Sequence, residues 1–305
     1  MVQEPLLCGL VDDGARRTDP ILRPGNTNCG GCGMSIAFQV FDRAAGKRPL
    51  QLVIPACCAI VTPGQYPRSA YGVPVVAATF ASAAAVATGL AHTARMNGEK
   101  TRVVCWAGDG GTFDIGMATL SAAAERDEDV LYVCYDNEIY GNTGGQRSSA
   151  TPLGARTSTT PSGKTQAKKD ILGIIAAHRV PFAATVSLAH ADDALDKFRD
   201  AVGMSGFRFL HVLSPCPTGW KSEPAEGIQL IRMAVRTGLY PVCSVRDGRR
   251  WHVDVEPDFD IATLKDYFAR QGRFRGINID FDHLAKDIED NWHDLRRRSA
   301  GGDAT

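Results

Sequence analysis

The sequence has no apolar run that approaches the roughly 20 residues needed to cross a bilayer. Its opening stretch, MVQEPLLCGLVDDGARR, contains acidic side chains and lacks the apolar segment and cleavage site of a secretory signal. Neither charge sign is in excess, because 34 basic residues balance 34 acidic ones and the net charge is +0. We therefore expect a cytoplasmic protein that binds neither nucleic acid nor a membrane surface.

Several common catalytic patterns are also missing. A dinucleotide-binding loop needs a third glycine where this chain has Phe113, and a P-loop needs a first glycine where it has Ser158. No Ser-His-Asp arrangement can be recognised, and His92, His178 and His211 lie in apolar stretches typical of structural histidines. The C-x₂-C-x₂-C-x₃-C run of bacterial ferredoxins is absent as well. None of these four patterns therefore accounts for a catalytic or cofactor-binding site in this chain.

What the sequence does contain is an α/β alternation centred on one glycine loop. An apolar run at 103–107 ends at Gly108-Asp109-Gly110-Gly111, a helical Ala/Leu-rich stretch follows, and a second apolar run at 130–135 ends at Asp136-Asn137. This order of strand, turn, helix and strand is the unit of a parallel sheet. We expect a doubly wound α/β fold with a mostly parallel sheet.

The remaining segments are divided around this unit. We expect an N-terminal arm at residues 1–27, the main α/β domain at 28–245 and a C-terminal extension at 246–305. The alanine-rich residues 77–96 predict a helix that either allows close approach of a neighbouring helix or subunit or packs tightly inside the domain. Residues 147–169, rich in Ser, Thr, Gly and Pro, predict a long loop that covers the site or a partner subunit.

The glycine loop and the following asparagine suit a magnesium diphosphate. Asp109 and Asn137 follow neighbouring strands, so we expect both at one exposed edge of the sheet, where open parallel sheets bind ligands. Glycines let backbone N–H groups approach phosphate oxygens, and Mg²⁺ prefers carboxylate and amide oxygens. The 26 residues that separate Gly110 from Asn137 give the spacing of a thiamine diphosphate signature. A glycine turn between ordinary strands is the alternative.

Nine cysteines, an odd number in a long chain, favour reduced thiols over a disulfide framework. The candidate metal ligands lie in glycine- or proline-rich turns: Cys29, Cys32, one of Cys57 and Cys58, and Cys216. The others are expected to be ordinary small apolar residues: Cys8, Cys105, Cys134 and Cys243. A C-x-x-C pair suits zinc, a redox dithiol or an iron–sulfur cluster. Because electrons that leave a thiamine adduct need a one-electron acceptor, the neighbouring cofactor favours a [4Fe–4S] cluster.

The chain resembles the beta subunit of the pyruvate:ferredoxin oxidoreductase family, the 2-oxoacid:acceptor oxidoreductases. The matching stretches, from residue 28 to about 275, are NCGGCG, VIPACCAIV, WAGDGGTFDIG, CYDNEIYGNTGGQRSSATP, HRVPFAAT, SPCPTGW and YFARQGRF. The resemblance implies thiamine diphosphate, Mg²⁺ and a [4Fe–4S] cluster as cofactors. The cluster ligands that it implies are Cys29, Cys32, Cys58 and Cys216. Relatives usually have Thr-Gly-Cys where this chain has Ala56-Cys57-Cys58, which favours the second cysteine.

The resemblance also implies roles for the glycine loop and its surroundings. Asp109, Asn137 and the backbone carbonyl of Ile139 are the implied magnesium ligands. Further implied cofactor contacts are Gly108, Gly110, Gly111, Asn142 and Thr143. Asn142 is the implied catalytic residue, close to the reacting thiazolium carbon and the bound 2-oxoacid.

The implied reaction is coenzyme A-dependent oxidative decarboxylation of a 2-oxoacid to acyl-CoA and CO₂, with electrons passed to the cluster and then to ferredoxin or another acceptor. Pyruvate is the expected substrate, and an arylglyoxylate such as phenylglyoxylate is the alternative. An α-type pyrimidine-binding subunit is implied to supply the activating glutamate, and gamma and ferredoxin-like delta subunits to complete the complex. Two other functions remain open: a non-redox thiamine diphosphate decarboxylase or synthase chain with a structural zinc, and a non-catalytic zinc-stabilised scaffold subunit.

Overall fold

The computed structural model of the protein describes residues 17–63 and 69–301. The strands in these residues are β1 Leu50–Pro55, β2 Val75–Ala78, β3 Arg102–Gly108, β4 Val130–Asp136, β5 Phe182–Ser187, β6 Arg208–Leu213, β7 Val242–Arg246 and β8 Arg250–Val255. They form one sheet in the order β2-β1-β3-β4-β6-β5-β7-β8. All pairs from β2 to β5 are parallel, whereas β7 and β8 add an antiparallel hairpin. The predicted α/β fold with a mostly parallel sheet is confirmed.

Helices connect and flank these strands. They are α1 Gly33–Ala45, α2 Cys58–Val61, α3 Ala83–Met96, α4 Met117–Glu125, α5 Ile171–Ala176, α6 Ala191–Gly203, α7 Pro217–Trp220, α8 Gly227–Arg236, α9 Ile261–Ala269 and α10 Phe281–Gly301. A π-helical turn at Gly110–Asp114 directly follows β3, and the predicted helix begins only at α4. The described part of the chain therefore places a π-helical turn, which is wider than an α-helical one, beside the end of β3.

One part of the core lies between the sheet and a pair of helices. Helices α1 and α6 pack against each other, and Phe38 of α1 stacks on Trp106 of β3 with ring centroids 3.9 Å apart. Phe198 of α6 stacks 6.5 Å from the same indole ring. Helix α1 forms here because its apolar residues recur at helical spacing and create one buried face.

Strands β3 and β4 bring the predicted site residues together. Every residue of β4 and all but the first of β3 are buried, which fits central strands covered on both faces. Gly108 pairs with Tyr135 in the parallel ladder. Asp109 and Asn137 therefore leave the sheet at the same edge, as the sequence predicts.

One secondary-structure prediction is wrong at its start. The helix predicted over residues 77–96 begins only with α3 at Ala83, because β2 continues to Ala78 and a turn separates it from the helix. Val76 pairs with Val53 of β1, and adjacent β-branched residues favour this extended conformation. Residues 147–169 contain no regular helix or strand, as predicted.

The predicted domain boundaries stay predictions, but the segments that they define are in contact with the sheet. Residues 1–16 of the predicted arm lie outside the described residues. The remainder packs on the domain, since Ile21 is fully buried and Leu22 forms a β-bridge with Tyr71. In the predicted C-terminal extension, β8 pairs with β7. Across residues 17–63 and 69–301, none of the helices combines the length and apolarity that a membrane crossing requires.

Candidate active site

The three implied magnesium ligands lie together at the ends of β3 and β4. One side-chain amide atom of Asn137 is 2.9 Å from Asp109 Oδ1 and 2.7 Å from the carbonyl oxygen of Ile139. With its nitrogen in this position, Asn137 donates a hydrogen bond to each oxygen. With its oxygen there, three oxygens are in contact, an arrangement that needs a cation. In an octahedral Mg²⁺ site with bonds of 2.0–2.1 Å, neighbouring ligand oxygens are about 2.9 Å apart. The residues present therefore fit a magnesium ion.

Asp109 is more enclosed than the sequence predicts. We expect it at an exposed edge, but only 2% of its surface is accessible. The loop after β4 covers it, and the hydroxyl of Ser148 donates to Asp109 Oδ2. Burial, followed by the negative charge of Asp136, raises the pKa of Asp109 well above its usual value. A divalent cation would reverse this preference for the protonated carboxyl, because a bound cation stabilises the ionised form.

A small pocket of about 30 Å³ lies between the glycine loop and the loop after β4. Its lining includes all eight residues expected to contact the cofactor: Gly108, Asp109, Gly110, Gly111, Asn137, Ile139, Asn142 and Thr143. Gly110 has a steric role here, since a Cβ at this position would lie 2.3 Å from Tyr140 Cε1. The Tyr140 hydroxyl donates to Asp114 Oδ2 at 2.9 Å, which holds its ring over the glycine.

The four implied cluster ligands line a second, larger cavity. Its volume is about 710 Å³, and Cys29, Cys32, Cys58 and Cys216 all lie on its wall. Among the described residues, no three His, Cys, Asp or Glu side chains are grouped closely enough to hold a single metal ion. The backbone N–H of Gly219 donates to Cys216 Sγ at 3.3 Å. Burial, followed by the neighbouring thiols of which Cys57 has the largest effect, raises the pKa of Cys58 to about 12.

Cys57 and Cys58 face different surroundings. Cys58 lies on the wall of the large cavity, whereas Cys57 is not part of that wall. Cys57 instead lies on the wall of the small pocket, and burial raises the pKa of its thiol. Cys105, Cys134 and Cys243 are buried, as expected for ordinary apolar cysteines, and Cys8 lies outside the described residues.

The two pockets share a wall. Six residues line both of them: Cys58, Tyr135, Asn137, Ile139, Gly141 and Asn142. Asn142 is exposed at this shared wall, so its amide group is accessible to a molecule bound on either side. The arrangement places a thiol-lined cavity next to an oxygen-lined, glycine-rich pocket.

A network of buried charges behind this wall was not predicted from the sequence. Asp136 accepts from Lys168 at 2.5 Å and contacts His211 Nε2 at 2.7 Å. Burial alone raises the pKa of Asp136, but Lys168 and then His211 lower it to about 2. Glu138 contacts Lys168 at 2.9 Å and Arg273 at 2.7 Å. The only hint in the sequence is that Arg273 lies in YFARQGRF, one of the stretches that match the family. That stretch does not indicate that Glu138 is its partner.

Known proteins are similar in sequence to this chain over most of its length. The family model described as thiamine pyrophosphate enzyme, C-terminal TPP binding domain, matches residues 56–212. Ketoisovalerate oxidoreductase subunit VorB of Pyrococcus furiosus is 37% identical over 285 residues, which cover 90% of this chain and 91% of that subunit. Pyruvate synthase subunit PorB of Methanothermobacter marburgensis is 38% identical over 265 residues, 85% of this chain and 91% of that subunit. The chain belongs to the beta subunits of the 2-oxoacid:ferredoxin oxidoreductases.

A beta subunit of this family is an oxidoreductase component that works within a multi-subunit complex, which confirms the expected enzyme class. Its thiamine diphosphate-binding domain includes Asp109 and Asn137. A solved 2-oxoglutarate:ferredoxin oxidoreductase from Magnetococcus marinus, with 2-oxoglutarate, coenzyme A and succinyl-CoA bound, matches with a TM-score of 0.60. That match is 20% identical in sequence and covers 91% of this beta subunit and 96% of that chain, so it supports the fold.

Proposed function

We propose that this beta subunit belongs to a cytoplasmic, coenzyme A-dependent complex that converts a 2-oxoacid to acyl-CoA and CO₂ and passes electrons to ferredoxin or another acceptor. The observation that carries the proposal is the shared wall between the two pockets. Thiamine diphosphate supplies the carbanion chemistry when bound, and an iron–sulfur cluster accepts single electrons. Electrons pass efficiently between these two groups only if the two sites lie close together, and the shared wall supports that proximity.

Asp109, Asn137 and the Ile139 carbonyl would hold the magnesium ion that binds the diphosphate. Their spacing supports this assignment, and backbone N–H groups of the glycine loop would face the phosphate oxygens. Asn142 would donate a hydrogen bond to the bound 2-oxoacid from the shared wall. The protein thereby neutralises charge and orients the reacting groups.

Cys29, Cys32, Cys58 and Cys216 would hold a [4Fe–4S] cluster. Their common cavity supports this assignment, because the iron and sulfide atoms of a cluster keep its cysteine ligands farther apart than a single ion does. The N–H of Gly219 that donates to Cys216 is the kind of hydrogen bond that adjusts a cluster's potential.

The small volume of the glycine-loop pocket supports the presence of a partner subunit that completes the cofactor site. Ligand pockets for whole molecules usually have volumes of about 300–1,000 Å³, whereas this one has about 30 Å³. We propose that an α-type subunit forms the opposite wall and supplies the pyrimidine side of the site, and that gamma and ferredoxin-like delta subunits complete the complex. Pyruvate is the proposed substrate, and a screen of the complex against pyruvate, ketoisovalerate and phenylglyoxylate tests this choice.

We expect the isolated beta subunit to lack oxidoreductase activity. Without a partner to activate the aminopyrimidine, the missing acid–base catalysis alone lowers the rate by about 10²–10⁴-fold. The measurement is viologen reduction by the anaerobically purified chain with thiamine diphosphate, Mg²⁺, coenzyme A and pyruvate. The control is the chain purified with its co-purifying subunits. Equal turnover by both would show that this chain holds the whole site.

Metal and cofactor content separate the proposal from its alternatives. An anaerobic preparation should be brown and contain four irons per chain if one [4Fe–4S] cluster is bound. A colourless protein with stoichiometric zinc and bound thiamine diphosphate would indicate a non-redox decarboxylase or synthase chain. The same zinc content without thiamine diphosphate would indicate a scaffold subunit.

Ser148→Ala should weaken Mg²⁺-dependent thiamine diphosphate binding by about 10–100-fold, the usual effect of removing a group that orients a metal ligand. The fully buried Ser148 hydroxyl holds Asp109 Oδ2, so its loss frees the carboxylate to rotate. A Mg²⁺ titration of cofactor affinity measures the effect. Ser244→Ala is the matched control, because the Ser244 hydroxyl also donates to a carboxylate, that of Asp254, but lies outside both pockets. Equal affinities for the two variants would contradict the orienting role.

A further inference from the structure

Glu138 occupies an unusual backbone conformation between two of the proposed magnesium ligands. Its φ is 63°, in the left-handed region that residues other than glycine rarely adopt. Its side chain is nearly buried, with 5% of the residue's surface exposed. A non-glycine residue keeps such a conformation only where its surroundings fix it. The contacts that fix Glu138 therefore also fix the backbone of Asn137 and Ile139 on either side.

Those contacts come from two segments distant in sequence. Lys168 Nζ lies 2.9 Å from Glu138 Oε1, and an Arg273 guanidinium nitrogen lies 2.7 Å from Oε2. Arg273 is 2% exposed and lies in the 3₁₀ turn Gly272–Phe274, within the C-terminal part of the chain. Its Nε also donates to Gln271 Oε1 at 2.9 Å. Each carboxylate oxygen of Glu138 is thus paired with a cation.

Arg273 also contacts the loop that carries a proposed cluster ligand. Its guanidinium lies 4.5 Å from the ring centroid of Trp220. Trp220 ends α7, the short helix that Cys216 caps, and its indole N–H donates to the Asn137 carbonyl at 2.9 Å. The two loops touch beside this bond, since a Cβ on Gly219 would lie 2.8 Å from Ile139 Cγ2. Arg273 therefore contacts two loops: residues 137–139, called the diphosphate loop below, and residues 214–220, called the cysteine loop.

We propose that Arg273 is a positioning residue that holds the diphosphate loop and the cysteine loop in a fixed relation, through Glu138 on one side and Trp220 on the other. The inference rests on the proposed function, because it assigns the two loops to magnesium diphosphate and to a cluster. Arginine suits this role because its planar group can pair with a carboxylate through its edge while its face lies on an indole ring. A lysine at this position keeps the charge but cannot make both contacts in that geometry.

The test compares Arg273→Lys and Arg273→Gln with wild type in the anaerobically purified complex. Both variants should bind Mg²⁺ and thiamine diphosphate about 10–100-fold more weakly, as expected when an outer-shell partner is lost. The EPR spectrum of the reduced cluster should change in the same variants, because Trp220 loses its support beside the Cys216 loop. Arg270→Gln is the matched control, since Arg270 is exposed and pairs with Glu226 and Asp266 away from the pockets.

Each outcome has a distinct meaning. If wild-type complex binds neither thiamine diphosphate nor a cluster, the proposed function fails and the positioning role is overturned with it. If wild type binds both and Arg273→Lys matches Arg270→Gln in affinity and spectrum, the positioning role is overturned. A change in only one of the two readouts would likewise overturn the joint role and limit Arg273 to one loop. If Arg273→Gln does not fold, the charge-conserving Arg273→Lys variant decides the question.

Discussion

Asp109→Ala is expected to reduce thiamine diphosphate binding by at least about 100-fold, a loss of about 2.7 kcal/mol. The change removes the only charged oxygen among the three proposed magnesium ligands, Asp109, Asn137 and the Ile139 carbonyl. The uncharged amide and carbonyl that remain are weak ligands for a hard divalent cation. Isothermal titration of the purified complex with thiamine diphosphate, at saturating Mg²⁺, measures the loss.

Two controls separate ligand loss from misfolding. Asp109 is buried and accepts from Ser148, so alanine also leaves that hydroxyl without its partner at a cost of about 1–3 kcal/mol. Asp109→Asn retains an oxygen that can accept this bond but removes the charge, and should still lose most cofactor affinity. Iron content should remain unchanged in both variants, because Asp109 is not on the wall of the cysteine cavity. Normal thiamine diphosphate content in Asp109→Ala would show that the magnesium assignment is wrong.

The core of the site was predictable because its determinants are local in sequence. Apolar runs define β3 and β4, and parallel pairing then requires Asp109 and Asn137 to emerge at one edge. Glycines mark the turn that follows β3, so the sequence alone was enough to predict that Asp109 lies at this edge. The same reasoning failed at residues 77–82, where alanine content suggested a helix, but Ala77 and Ala78 pair with β1 and a turn follows before α3. Propensity is a weak guide where a neighbouring strand offers hydrogen bonds.

The buried charges behind the site could not be predicted in this way. Asp136, Glu138, Lys168 and Arg273 come from separate parts of the chain, and no periodicity indicates that they meet. Each one looks like an ordinary surface residue in the sequence, because charged residues are rarely buried unless paired. The burial of Asp109 was missed for a related reason, since it depends on where the irregular loop at 147–169 folds back. Long-range packing, rather than local pattern, decides these features.

The two proposed sites are connected through one short segment. Asn137 and Ile139 contribute to both pockets, and Trp220 donates from the cysteine side to the Asn137 carbonyl. Changes on one side can therefore alter the other without direct contact with its ligand. Variants of either loop should be assayed for both cofactor affinity and cluster properties, because a single readout would assign a shared effect to one site.

Cys58→Ser is expected to lose the [4Fe–4S] cluster or convert it to a smaller form, whereas Cys57→Ser should retain it. Cys58 lies on the wall of the cavity that also contains Cys29, Cys32 and Cys216. Cys57 is adjacent in sequence, but it is not part of that wall. The two variants change the same atom at neighbouring positions and are therefore matched. Serine is a much poorer ligand than thiolate for iron in a cluster, so replacing a cysteine ligand by serine should reduce the iron content.

Iron and sulfide content and the EPR spectrum of the reduced protein decide between the two cysteines. We expect Cys58→Ser to fall clearly below four irons per chain if the wild-type protein binds one four-iron cluster. The wild-type signal should be preserved in Cys57→Ser. Thiamine diphosphate affinity should change little in either variant, because both cysteines border the small pocket and serine is similar in size to cysteine. A cluster retained by Cys58→Ser and lost by Cys57→Ser would exchange the two roles. Retention by both variants would mean that the fourth ligand lies elsewhere, since the thiolate at each of these positions would then be dispensable.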